Sequence, residues 1–100
     1  MAVQLVFDST EHFTDLVEAQ DYRLAKTFAE SMLQHIYNPD KKITVAEIYF
    51  EEEDEILDFQ VERKNIIPNL KQFLRIYETE EDYEGCTVIA NAIKTLECLV

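Results

Sequence analysis

The sequence predicts an α+β fold in a single domain: a small antiparallel sheet packed by helices, in the order β-α-α-β-β-α-α, ending in a helical hairpin. Three observations carry this prediction. The chain has 100 residues, 47% of them apolar, enough for one compact core over residues 1–100 and too few for two. Two runs rich in β-branched and aromatic residues, Ile43 to Phe50 and Ile56 to Glu62, lie mid-chain with a polar break between them. On either side of these runs, apolar residues recur three and four apart, the period of a helix with one buried stripe.

The first element is a short strand, Val3 to Phe7. Asp8 and Glu11 after it have the spacing of a capping box for a helix of about residues 9–19, with Phe13, Leu16 and Val17 as its apolar stripe. Beyond Gln20-Asp21, the positions Leu24, Ala25, Phe28, Met32, Leu33 and Ile36 mark a second helix running to about Tyr37. Asn38-Pro39-Asp40 stops it, because proline pushes the residue before it out of the helical region.

The two central strands form a hairpin. No Asn-Gly or Gly-X pair marks a two-residue turn, so the expected connection is four or five residues long. In the second strand Leu57, Phe59 and Val61 alternate inward, with Asp58, Gln60 and Glu62 outward. The first strand is ambiguous. Ala46, Ile48 and Phe50 make the better core face, which leaves Val45, Glu47 and Tyr49 outside. Pro68 suits the first turn of a third helix with Leu70, Phe73, Leu74 and Tyr77 as its stripe. Thr79 is placed to cap a fourth, with Glu80, Glu81 and Asp82 favourable at its N-terminus. Cys86, Ile89, Ile93, Leu96 and Val100 form a heptad-like seam for helix three or for a second copy of the chain. Gly85 costs about 1 kcal/mol in a helix, which points to a close approach or a later helix start.

Charge says more about function than any motif. With 9 basic against 21 acidic residues, the net charge of -12 repels nucleic acid and anionic membranes, so direct contact with either is not expected. Thirteen of the acids fall between Glu47 and Glu62 or between Glu78 and Glu84. The run Glu51-Glu52-Glu53-Asp54-Glu55 occupies the hairpin tip. Together with Glu47, Tyr49 and Asp58 it forms the candidate partner-binding set, an aromatic anchor in an acidic rim.

Catalytic and metal chemistry lack their usual supports. His12 and His35 complete no cluster, the acidic run has no glycine for a Ca²⁺ loop, and there is no HExxH, CxxC or phosphate-binding glycine loop. No catalytic residue, metal or cofactor is therefore assigned. Cys86 and Cys98, twelve apart on one helix, lie about 18 Å apart along its axis, too far for a disulfide, and read as reduced core thiols. Without a basic leader or a long apolar stretch, the expected location is the cytoplasm.

The segment Glu81-Asp82-Tyr83-Glu84-Gly85-Cys86-Thr87-Val88-Ile89-Ala90-Asn91-Ala92-Ile93-Lys94-Thr95-Leu96-Glu97 resembles the UVR-type helical hairpin: acidic-aromatic-Glu, a small residue two positions later, then Ile and Leu at helical spacing. With the preceding helix the resemblance covers about residues 66–97. Where that motif usually carries an Arg-Asp pair, this chain has Ala90 and Asn91. The resemblance implies a module for protein contacts. The leading expectation is a small acidic binding protein (an inhibitor, immunity protein, antitoxin or adaptor) that docks a basic surface, with mimicry of nucleic acid where the partner binds it. The alternative is a structural homo-oligomer joined through the helix-four seam, its acids serving solubility.

Overall fold

The strands form a three-stranded mixed sheet in the order β1-β2-β3, with β1 at Val3–Phe7, β2 at Lys42–Phe50 and β3 at Glu55–Glu62. The structure is a computed structural model and describes residues 2–98. β2 and β3 pair antiparallel through a four-residue turn, Glu51 to Asp54, within the expected length. β1 pairs with β2 in parallel, so the wholly antiparallel sheet expected from the sequence is corrected to a mixed one. The reason lies in the connection. Parallel neighbours require a crossover of about a dozen residues or more, and the two helices α1 (Thr10–Glu18) and α2 (Tyr22–Gln34) supply it.

Local chemistry sets the helix ends. Ser9, one residue beyond the expected Asp8, is the N-cap of α1, its hydroxyl accepting from the His12 amide at 3.1 Å. Gln20 at φ 54° breaks the chain between the helices, and Asp21 caps α2 by accepting from the Leu24 amide at 3.0 Å. α2 ends at Gln34, three residues before the expected Tyr37, with His35 bonding back to the Met32 carbonyl. After a 3₁₀ turn at Arg63–Asn65 come α3 (Ile66–Thr79) and α4 (Tyr83–Cys98). Thr79 belongs to α3, and Asp82 takes the capping role expected of it, accepting from the Gly85 amide at 3.0 Å. Glu81 at φ 58° makes the bend between the helices.

One face of the sheet carries the core. Ile48 of β2, Met32 of α2, Ile66 and Leu70 of α3, and Ile89 of α4 are fully buried. Phe28 and Phe59 rings lie 4.9 Å apart, and Phe13 meets Phe7 at 5.1 Å and Phe50 at 5.8 Å. A β-bulge between Thr44 and Ala46 resolves the ambiguous strand. Val45 and Ala46 are both buried there, so Ile43 and Val45 face the core before the bulge and Ala46, Ile48 and Phe50 after it. The placement of Val45 outside is thereby corrected.

Ile89, Ile93 and Leu96 are buried within the single chain, part of the same core as α3. This leaves no exposed apolar seam on that side of α4 among the described residues, and Val100 lies outside them. Cys86 is half-buried, while Cys98 is exposed rather than in the core. No helix among the described residues is long and apolar enough to cross a membrane.

Candidate protein-binding face

The second face of the sheet is open. Register places Val6, Tyr49 and Ile56 in one row across β1, β2 and β3, and Gln4, Glu47 and Asp58 in the next. Val6 is 64% exposed and Ile56 72%, values that make the row an apolar strip in contact with water. Across three strands spaced about 4.8 Å, the strip is about 10 Å wide. Beside it, Glu47 and Asp58 stand directly opposite each other, both exposed. Neither has an ion-pair partner: among the described residues the one salt bridge joins Lys64 to Glu62 at 3.4 Å. An open polar recess of about 470 Å³ adjoins the two carboxylates and is lined by Lys42 and Asp40 as well.

Tyr49 is fixed in place. Its hydroxyl donates to Asp54 Oδ1 at 2.7 Å, and this bond is the first cause of a phenol pKa raised above the ordinary value. Asp54 sits at φ 50°, a left-handed position that aspartate tolerates better than most residues, and its amide reaches the Glu51 carbonyl to close the turn. The aromatic at the centre of the strip is thus held by the turn that precedes β3.

The eight sequence-predicted residues do not form one patch. Glu47, Tyr49 and Asp58 share the open face, and Asp54 joins them through Tyr49. Glu53 turns instead to α1, where its carboxylate accepts from the Thr10 amide at 3.2 and 3.3 Å and places negative charge at the helix N-terminus. Glu51 and Glu52 donate their amides to the carbonyls of Phe7 and Asp8, extending the contact between the β2 end and β1. Glu55 pairs with buried Phe50 and therefore belongs to the helix-covered side. The acidic tip is tied into the fold on both sides.

Val6 and Ile56 were missed by sequence reasoning, although the signal for them was present. With Val3, Leu5 and Phe7 facing in, Val6 must face out; with Leu57, Phe59 and Val61 facing in, Ile56 must do the same. Leu57 remains 47% exposed despite its inward phase, because it lies at the tip end of an edge strand.

His12 and His35 are not brought together into a site. His35 Nδ1 lies 2.8 Å from the Ser31 carbonyl, and Ser31 in turn donates to the Val45 carbonyl at 2.6 Å, which ties α2 to the bulge. Among the described residues, no group of three His, Cys, Asp or Glu side chains is arranged to hold a metal ion. Burial, with Glu78 and Asp82 nearby, pushes the Cys86 thiol up, away from the thiolate a nucleophile needs. No known protein family, curated protein or solved structure matches the chain.

Proposed function

We propose that the protein is a small binding module, of the inhibitor, immunity-protein, antitoxin or adaptor kind, that docks a basic surface of another protein through the open face of its sheet. One observation carries the reading: the apolar row Val6-Tyr49-Ile56, exposed at both ends and half-buried at Tyr49, lies directly beside the carboxylates Glu47 and Asp58, which have no ion-pair partner among the described residues. Like charges opposite each other across two strands destabilise a sheet by about 0.2–1 kcal/mol. Lysine or arginine from a partner would relieve that repulsion, while the apolar row supplies area to remove from water and Tyr49 a rigid anchor.

Clustered acids set the association rate more than the affinity, since complementary potentials steer encounter and suppress wrong partners. Where the basic partner is itself a nucleic-acid-binding protein, the carboxylates would take the places of phosphates. A cytoplasmic setting is part of the proposal, in keeping with two unpaired thiols, one of them exposed. The helical hairpin of α3 and α4, with its likeness to UVR-type hairpins, is compatible with a binding role, and its exposed Tyr83 and Val88 stand five residues apart on α4.

Affinity capture from native lysate, in low and in high salt, tests the reading with three baits: the natural protein, Glu47→Gln/Asp58→Gln, and Val6→Ser/Ile56→Ser. A partner retained by the natural protein and lost from both variants supports it. The same partners retained by all three would remove the sheet face from the account.

A further inference from the structure

On the opposite side of the molecule an apolar cleft of about 500 Å³ opens between α1, α2 and α3, with the ring of Phe59 from β3 at its wall. That volume lies within the usual range for small-molecule sites, roughly 300–1,000 Å³. Its apolar lining includes Phe13, Leu16, Phe28, Phe59, Phe73 and Ile76. Only Phe28 of these is buried, and the others keep partial contact with solvent. α1, which forms one wall, contains no buried residue, and its Val17 is 50% exposed. The wall therefore presents an apolar stripe to a space that no side chain of the described residues fills.

Two charged groups line the cleft, and they differ. The Asp21 carboxylate already accepts from the Leu24 amide as the α2 cap. Arg75 has no ion-pair partner among the described residues, in a chain where acids outnumber bases 21 to 9. A planar guanidinium beside an apolar slot matches a carboxylate head with a hydrocarbon tail. Long-range repulsion from the net charge is screened within about 8 Å at physiological ionic strength, so the local cation governs the head group.

We propose that this cleft binds a single-chain carboxylate amphiphile, with the carboxylate on Arg75 and the chain among the phenylalanines of α1, α2, β3 and α3. The site is separate from the open face of the sheet and does not depend on the reading given to that face. Calorimetric titration of the full chain at physiological salt tests it, with octanoate and decanoate below their micelle concentrations and 1-octanol and 1-decanol as uncharged controls. The expected result is one-to-one saturable binding that tightens roughly 15-fold from octanoate to decanoate, at about 0.8 kcal/mol per buried methylene. Arg75→Gln is expected to weaken the carboxylates about tenfold and leave the alcohols unchanged. Leu16→Asp, with folding verified by circular dichroism, is expected to weaken both classes. Amide chemical shifts should move in α1, α3 and around Phe59. No saturable binding, indifference to Arg75→Gln, equal affinity for acids and alcohols, or shifts centred on Tyr49 would each overturn the assignment.

Discussion

Replacing Gly85 with alanine is expected to destabilise the protein, although alanine is the better helix former. A Cβ at this position would lie 2.4 Å from Tyr77 Cδ2, 2.5 Å from Cε2 and 2.8 Å from Asp82 Oδ2, distances that force something to move. The ring has little room. Tyr77 is only 3% exposed and packs edge-on to Tyr22 at 5.5 Å between centroids. Overpacking of this kind costs about 1–3 kcal/mol, and relief of the glycine penalty returns up to about 1 kcal/mol. The net loss is about 1 kcal/mol, read as a fall of about 4–8 °C in the thermal midpoint of a domain this size. The same substitution in a Tyr77→Met background should cost less, because a flexible chain can turn away from the new methyl while the Asp82 carboxylate still crowds it. The cost should fall by about 1 kcal/mol, the coupling read in a double-mutant cycle followed by urea unfolding. An alanine variant at least as stable as the natural protein, or additive effects in the cycle, would refute the argument that Tyr77 dictates glycine here.

The same junction should show itself in alkali and in acid. The Tyr22 hydroxyl donates to Asp82 at 2.5 Å, which pushes its pKa up to about 12; burial does the same to Tyr77. Stability contributed by these phenols is complete below the unfolded value of about 10 and lost as pH rises through about 12. An ultraviolet titration should therefore find three of the five tyrosines, Tyr22, Tyr49 and Tyr77, ionising late, and only two after Tyr22→Phe; late ionisation of three in that variant would break the assignment. The bond to Tyr22 lowers the Asp82 pKa, so its contribution holds above the usual carboxylate range and fades as pH falls through the depressed value; Asp82→Asn should lack that part of the acid limb. Maleimide should label exposed Cys98 rapidly in the native protein and half-buried Cys86 only on unfolding. Equal native rates would contradict the placement of both thiols.

Elements with a local signature were legible in the sequence. The β2-β3 hairpin, its four-residue turn and the close approach at Gly85 follow from alternation, from the absence of a tight-turn dipeptide and from one misplaced glycine. What required three dimensions was missed. Alternation in β1 identifies its inner face but not the direction of its neighbour, so its parallel pairing emerged only with the crossover through α1 and α2. The bulge at Val45 and Ala46 shifts the alternation by one residue midway along β2, which no single period describes.

The site was legible in the same uneven way. Glu47, Tyr49 and Asp58 were identified on the correct face, whereas the unbroken acidic run drew attention to the tip as if it were one feature. Composition shows five acids in a row; it does not show that Glu53 reaches the start of α1 or that Asp54 holds Tyr49. Those bonds give two members of the run a structural role and move the proposed contact from the tip to the face of the sheet, where Val6 and Ile56 complete it.

The most direct test of that proposal is the association rate with the captured partner, measured against ionic strength for the natural protein and the two face variants. The account predicts that Glu47→Gln/Asp58→Gln slows association and flattens its salt dependence, while Val6→Ser/Ile56→Ser mainly speeds dissociation. Association and dissociation rates unchanged in both variants, at every salt concentration, would contradict it.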